Sequence, residues 1–316
     1  MSPELIIGID GGGTKTRVVV ATPDCKVLGE GVSGPSNYLR VGMPTAVASV
    51  QFAVRKALEA AGVTLADVRA VFAGLAGLRS PTHRDEMLHA LRPILPDVEI
   101  MVNTDAAVAL AGATDGKAGV VIISGTGAVA FGINKEGRTW QAGGWGWVLG
   151  DEGSGYFIAR RGLAAIVRAY DGRGRFTLMT EKLCSSFGVC DPRELPGLVY
   201  HPEVTTTDIA KYARFVTAAA KEGDEVAIDI LREAGIELGQ AAVAVIRKLE
   251  MLEEEFRVAY VGGVFRAGEL LIGPLRNMLG VVAPRAELGA PLFTPAVGAV
   301  KLALQESTRL AMARDD

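Results

Sequence analysis

Cysteine and histidine are both scarce, three of each in 316 residues. Cys25, Cys184 and Cys190 are odd in number and form no C-x-x-C pair, which excludes a disulfide framework or structural zinc site of the usual spacing and favours a reducing compartment. Runs of one charge are missing too. Thirty-three Lys+Arg stand against 36 Asp+Glu, a net charge of −3, and no cluster offers nucleic acid or an anionic membrane surface a footprint. No apolar stretch approaches the roughly 18 residues of a membrane span. The opening residues run directly into a strand-like segment without a basic region or cleavage site. The expectation is a globular, cytoplasmic protein with neither nucleic-acid nor membrane partners.

What is abundant is apolar residues, 49% of the chain, and glycine, 39 residues. The glycines cluster at 11–13, 125–127, 143–155 and 262–263. Clustered glycine marks backbone that turns tightly or lies against a ligand, as in phosphate loops.

The pattern of apolar runs and turns predicts strands at Leu5–Ile9, Thr16–Ala21 and Lys26–Glu30, a helix from Pro44 to Ala61 stopped by Gly62, and a strand at Val68–Leu75. A helix over 82–92, a strand at Val98–Asn103 and a short helix over 106–113 complete the order βββαβαβα. The order restarts with strands at Gly119–Ile123, Ala128–Ile133 and Arg138–Gln141. Helices then follow over 154–170, 177–187, 208–222 and 225–252, a strand at Val258–Val261, and helices over 268–279 and 294–313. Ile9–Thr14 and Ile123–Gly127 occupy equivalent points of the two halves. The chain reads as a duplicated α/β domain with a cleft between copies: one lobe over 1–116, a second with helical insertions over 117–293, and a terminal helix, 294–316, returning to the first lobe.

Six segments carry candidate chemistry. In Asp10-Gly11-Gly12-Gly13-Thr14-Lys15, the glycine N–H groups can surround a phosphate, Thr14 can add a hydroxyl, and Asp10 can hold magnesium through water. An ordinary glycine-rich hairpin is the alternative. A Walker A loop is excluded, since the Gly-Lys-Ser/Thr ending and following helix are absent. Gly125-Thr126-Gly127, at the matching turn, suggests a second phosphate hairpin. Asp105, at a strand end, is either a helix cap or a general base for an attacking hydroxyl. Gly143–Gly155 combines Trp145 and Trp147 with Asp151 and Glu152; acidic acceptors beside flat apolar rings suit a sugar. The other reading has Asp151 capping the next helix and the tryptophans filling a core. Gly262-Gly263 after a strand would let backbone approach a flat base, as any strand–helix turn would. Asn37, in the turn-rich stretch Ser33–Tyr38, is either a turn residue or a partner for sugar hydroxyls.

Together these segments resemble the actin, sugar-kinase and heat-shock-chaperone superfamily, and more narrowly the BadF/BadG/BcrA/BcrD ATPase-type family that contains N-acetylglucosamine kinase. Gly8–Thr14, Thr104-Asp105-Ala106, Ile123–Gly127 and Gly143–Ser154 occur in that family's order and spacing, and the resemblance runs from Gly8 to about Gly298. Ser33–Tyr38 and Ala73–Gly77 also look like the family's broad-specificity archaeal hexokinase. The resemblance implies a two-lobed actin-like ATPase (ribonuclease-H-like) fold, ATP and Mg2+ as cofactors, and phosphorylation of a sugar's 6-hydroxyl. It implies that Thr14 and Thr126 contact phosphates, that Ala220, Gly263 and Ala267 lie by the adenosine, and that Asn37, Asp105, Gly144, Trp145, Gly146 and Asp151 line the sugar site. It suggests a homodimer. One departure is plain: where the acetylglucosamine kinases carry Ser-Asn after the second Gly-Thr-Gly, this chain has Ala128-Val129. Two polar side chains are gone, which leaves glucosamine, glucose or a bulkier amino sugar open. The rival reading within the family is an ATPase activator of a radical dehydratase or reductase, with Cys184 and Cys190 as the available cluster ligands.

Overall fold

The computed structural model describes residues 4–78, 80–189 and 191–315, so Cys190 lies outside the described residues. The chain divides into two compact units: the residues up to Ala118 together with those from Ala290 onward, and Gly119–Gly289.

The first unit is built on β1 (Leu5–Gly11), β2 (Thr16–Ala21), β3 (Val27–Ser33), α1 (Tyr38–Val41), α2 (Met43–Ala61), β4 (Val68–Leu75), α3 (Pro81–Leu91), β5 (Glu99–Thr104) and α4 (Asp105–Thr114). Its sheet has the order β3-β2-β1-β4-β5. The first three strands are antiparallel neighbours, while β1, β4 and β5 run parallel. The central strands β1 and β4 read as nearly unbroken apolar runs because both of their faces are covered. One face carries α2, whose Ala46, Val50, Ala53 and Ala57 are buried with Ile7, Ile9 and Val18.

The second unit contains β6 (Gly119–Ser124), β7 (Ala128–Ile133), β8 (Thr139–Gly143), α5 (Gly155–Tyr170), α6 (Met179–Phe187), α7 (Leu195–Val199), α8 (Thr206–Ala210), α9 (Ala213–Lys221), α10 (Glu225–Lys248), β9 (Phe256–Val261), α11 (Glu269–Val282) and β10 (Ala286–Gly289). Its sheet has the order β10-β9-β6-β7-β8. Read from β8, this is the order and strand polarity of the first sheet. The duplication expected from the repeated glycine turns is therefore present strand for strand. The long helix α10 packs on β6, β7 and β8, as α2 packs on β2 and β3.

The chain returns to the first unit as α12 (Pro295–Asp315), which covers the sheet face opposite α2. Ala296, Ala299, Val300 and Ala303 are buried there with Ile6, Val19, Phe72 and Val108. A Cβ on Gly8 would stand 2.1 Å from the Ala296 carbonyl oxygen, so only glycine lets β1 and α12 approach this closely.

Several boundaries differ from the sequence reading. The third strand is Val27–Ser33, and the helix expected over 208–222 is two, α8 and α9. The one-turn helix α1, the short α7 and the edge strand β10 had no sequence counterpart. Among the described residues, no helix is long and apolar enough to cross a membrane.

Candidate active site

In the first unit the β1–β2 turn is closed by the Gly12 N–H donating to the Lys15 carbonyl (2.9 Å), which leaves Thr14 and Lys15 exposed at its tip. Two neighbouring loops are tied to this turn. The Gly12 carbonyl accepts from the N–H groups of Ser36 (3.0 Å) and Asn37 (3.2 Å), and the Gly11 carbonyl accepts from Ala76 (2.8 Å). The buried Thr16 hydroxyl donates to the Gly34 carbonyl (2.8 Å) and lies 2.8 Å from the Ser36 hydroxyl. Ser33–Tyr38 is thus tied into the structure of the glycine turn.

Asn37 is not merely a turn residue. It occupies the N-cap position of α1 without its side chain accepting a hydrogen bond from that helix. Its Oδ1 is buried without a hydrogen-bond partner among the described residues, 2.8 Å from where a Cβ on Gly77 would be. A buried amide oxygen of this kind costs stability unless something donates to it. Arg40, one turn on, lies over the same hairpin: its Nη1 is 3.2 Å from a Cβ position on Gly13. Sequence reasoning missed Arg40, because a four-residue helix is too short to show a periodic face.

Parallel pairing puts Asp10, Gly74 and Asn103 on one rung at the carboxyl ends of β1, β4 and β5, where ligands bind in open α/β sheets. Asp105 follows at the start of α4. Of its two sequence readings, helix cap fails: Thr104 has the extended N-cap backbone, and its Oγ1 accepts from the Ala107 N–H (3.2 Å). Asp105 accepts from the adjacent Ala106 N–H (3.0 Å). Burial raises the Asp105 pKa above the ordinary carboxylate value, against the opposing pull of the hydrogen bonds from Ala106 and its own backbone. Asp10 is pushed up to about 6, first by burial and then by the Asp105 charge, with Lys15 and Arg17 acting the other way.

In the second unit the β6–β7 turn is closed by the Gly125 N–H donating to the Gly127 carbonyl (2.9 Å). The glycine-rich stretch 143–155 is bound to this turn along its length. Gly144 donates to the Ala128 carbonyl (2.8 Å), Gly155 to the Gly125 carbonyl (2.8 Å) and Tyr156 to the Thr126 carbonyl (3.3 Å), while the Ser124 hydroxyl donates to the Gly153 carbonyl (2.9 Å). Asp151 Oδ1 accepts from the Ala128 N–H (3.2 Å). Ser154, not Asp151, caps α5, its Oγ accepting from the Phe157 N–H (3.1 Å). The tryptophans do not fill a core: Trp145 is 68% exposed, and Trp147 is 55% exposed with its ring edge-on to Tyr156 at 5.6 Å. Ala128 is buried, and Val129 Cγ2 lies 3.2 Å from a Cβ position on Gly144. An apolar side chain therefore floors this loop.

Gly262, with φ of 122°, abuts the Ser124 carbonyl at the foot of the same turn, and Gly263 begins the tight 3-10 turn Gly263–Ala267. Ala267 is buried at the end of that turn, and Ala220 is buried in α9. Cys184 is buried in the hydrophobic core of this unit. A separate cavity of about 650 Å³ shares no lining residue with these loops; Arg161, Arg168, Arg173 and Arg175 line it with Asp229 and Glu233. Arg161 pairs with Glu233, Arg175 with Asp229 and Arg173 with Asp171, so three of these four guanidinium groups have a carboxylate partner. No group of three or more His, Cys, Asp or Glu forms a metal cage among the described residues.

Two sheets of matching topology, each with a glycine hairpin between its first two strands, define a duplicated ATPase of the actin-like, ribonuclease-H-like kind. The chain belongs to the BadF/BadG/BcrA/BcrD ATPase family, whose sequence model matches residues 7–303. It is 33% identical over 301 residues to the N-acetylmuramic acid/N-acetylglucosamine kinase of Clostridium acetobutylicum, a match covering 95% of this chain and 98% of that protein. It is likewise 33% identical over 317 residues to the N-acetyl-D-glucosamine kinase of Dictyostelium discoideum, covering 96% and 99%. The crystal structure of a candidate N-acetylglucosamine kinase from Chromobacterium violaceum superposes with a TM-score of 0.74 at 29% identity, covering 96% of this chain and 100% of that one.

Proposed function

We propose that this protein is an ATP-dependent kinase that phosphorylates the 6-hydroxyl of an amino sugar or hexose of the N-acetylglucosamine, glucosamine and glucose class, with Asp105 as general base. The observation that carries this reading is the state of Asp105. A carboxylate relieved of capping by Thr104, held at the carboxyl end of a strand and raised in pKa by burial, is suited to take a proton. The kinase relatives of near-equal length support the same reaction class.

Phosphoryl transfer asks a protein mainly to position groups and to balance charge. The Gly12 and Gly125 N–H groups are spent closing their turns, so phosphate contact falls to the Gly13, Thr14, Thr126 and Gly127 backbone and to the Thr14 and Thr126 hydroxyls. Lys15 and Arg40 frame the first hairpin with positive charge. Gly262 and Gly263 bring bare backbone beside the second, as close approach of a nucleotide base requires. Asn37, Gly144, Trp145, Gly146 and Asp151 would bind the sugar: Asn37 through its buried Oδ1, Trp145 through its exposed ring.

A magnesium ion carried by a triphosphate needs one or two protein carboxylates, not a cage. Asp10 fits that demand, since its charge is disfavoured by burial and by Asp105, and a cation would relieve both. Mg2+ when bound would neutralise phosphate charge, with Asp10 holding it through water. Asp105 would orient the hydroxyl and accept its proton.

The test is an ADP-release screen across glucose, glucosamine, N-acetylglucosamine, N-acetylmannosamine and N-acetylmuramate, with the phosphate position of the product read by NMR. Sugar-dependent ADP release and a 6-phosphate are expected. ADP release indifferent to every sugar would overturn the kinase reading, and a 1-phosphate would overturn the position assigned.

A further inference from the structure

Arg17 stands directly opposite Asp10 in the antiparallel register of β1 and β2. Residues so paired carry their Cβ atoms about 5 Å apart on one face of the sheet. The preceding pair on that face is Gly8 and Val19, and Gly8 is covered by Ala296 at the start of α12. Asp10 and Arg17 are the next pair towards the glycine hairpin, whose Thr14 precedes Arg17 by three residues. The two side chains are near enough for the Arg17 charge to oppose the rise in the Asp10 pKa. Yet among the described residues Arg17 makes no ion pair, and its Nε is buried with no hydrogen-bond partner. Arginine is seldom taken into a protein without a partner, because desolvated guanidinium N–H groups left unmatched cost stability. A half-buried, unmatched cation at the carboxyl end of β1 is therefore unexplained by the fold.

We propose that Arg17 binds the phosphate chain of the nucleotide beyond its α-phosphate, as a side-chain partner to the backbone of the first hairpin. The proposal rests on the kinase reading above. Position favours phosphate over sugar. Asp10 is the carboxylate suited to a phosphate-borne magnesium ion, and such an ion bridges β- and γ-phosphate oxygens, so those oxygens come to the Asp10–Arg17 pair. A sugar hydroxyl would leave the guanidinium charge unopposed, whereas a phosphate oxygen both opposes it and accepts from its N–H groups. Lys15 and Arg40 are placed differently, one exposed at the hairpin tip and the other over Gly13 from α1. Arg17 is instead fixed by strand pairing on both sides, to β1 and to β3, so its backbone is set before any ligand arrives.

The experiment is calorimetric titration of ADP and of AMP into the full chain, once with Mg2+ and once in EDTA. Arg17→Met keeps the aliphatic stem and removes the charge; Arg17→Lys returns a charge without the planar fork. R17M is expected to weaken ADP binding about tenfold, the usual scale for losing a charged hydrogen bond, while AMP affinity stays within about twofold. R17K is expected to recover about half of that loss on a logarithmic scale. The ADP loss should persist in EDTA, where no metal can relay it. Unchanged ADP affinity in R17M overturns the proposal, as does an equal loss for AMP and ADP, which marks a residue that shapes the whole site. A loss seen only with Mg2+ also overturns it, since Arg17 would then act through Asp10. In each of these cases sugar-dependent ADP release by the unaltered chain leaves the kinase reading standing; failure of the unaltered chain to bind ADP at all would overturn both. Should R17M not fold, the NMR signal of the Arg17 Nε–H decides: ADP must shift it in the unaltered chain by more than AMP does, and equal or absent shifts overturn the proposal.

Discussion

Asp10 and Asp105, one at the end of β1 and one just past β5, are close enough that the charge of Asp105 helps to raise the pKa of Asp10 to about 6. Two partly buried carboxylates that oppose each other's ionisation are costly in the ligand-free protein and useful where a cation and a hydroxyl that must lose its proton arrive together.

Asp105→Asn should keep the fold and cut turnover by about 10²–10⁴, the range for losing a positioned general base. Sugar affinity should change little. In the unaltered protein, the base must be ionised, so turnover should fall as pH drops through the raised pKa of Asp105, at a higher pH than an ordinary carboxylate would give. Steady-state rates across pH for both proteins provide the check; retention of normal turnover by D105N would remove the base.

Asp10→Asn should stabilise the ligand-free protein while impairing catalysis. The folded state holds the Asp10 proton more tightly than the unfolded chain, whose value is 3.8. Stability is therefore lost as pH rises from about 4 towards about 6, and the cost is fully present above that. Urea unfolding at pH 7.5 should show D10N more stable by about 1–2 kcal/mol, with the gain vanishing near pH 3.5.

Asn37→Ala separates a ligand-binding amide from a structural one. Among the described residues its Oδ1 is buried and unpaired, so truncation should leave the Tm equal or raise it, since that oxygen gives up no hydrogen bond and an unsatisfied group is removed. The KM for sugar should rise about tenfold or more. A lowered Tm with unchanged sugar KM would assign Asn37 to the fold instead.

Arg40→Ala should raise the KM for ATP about five- to tenfold without changing the KM for sugar, because the guanidinium lies over Gly13 and a charge-assisted contact to phosphate is worth about 1–2 kcal/mol. Arg40→Lys should recover part of the loss. Equal effects on both substrates would place Arg40 elsewhere in the reaction.

Gly8→Ala should destabilise the first unit by about 1–3 kcal/mol or prevent folding. The added methyl meets the Ala296 carbonyl oxygen at 2.1 Å and Val300 Cγ2 at 2.8 Å, and backbone cannot step aside as a long side chain can. Denaturant midpoints give the value directly.

Much of this was legible in the chain before any coordinates. The apolar runs of β1, β4 and β6 are long and bounded by glycine, so strand and turn could be placed together. β10 escaped because Ala286–Gly289 is four residues with no β-branched side chain, and its strand character comes from pairing with β9. The break between α8 and α9 escaped because Lys211-Tyr212 carries neither Gly nor Pro. At the site, glycine clusters and carboxylates announced themselves by composition. Which of Thr104 and Asp105 caps α4 did not, since both residue types favour that position and only the backbone torsions separate them. Arg40 escaped because its place over Gly13 follows from proximity across a loop, which leaves no periodic trace.

The position of α12 has a further consequence, for how the protein is made. The sheet surface bearing Ile6, Val19 and Phe72 is synthesised well before Ala296 to Ala303, which cover it. Until then the nascent chain covers that apolar plane only in part, through Val108 of α4, which makes it a client for holding factors during synthesis. A premature stop shortly before residue 295 would leave that plane open for good, so even late truncations should yield insoluble product.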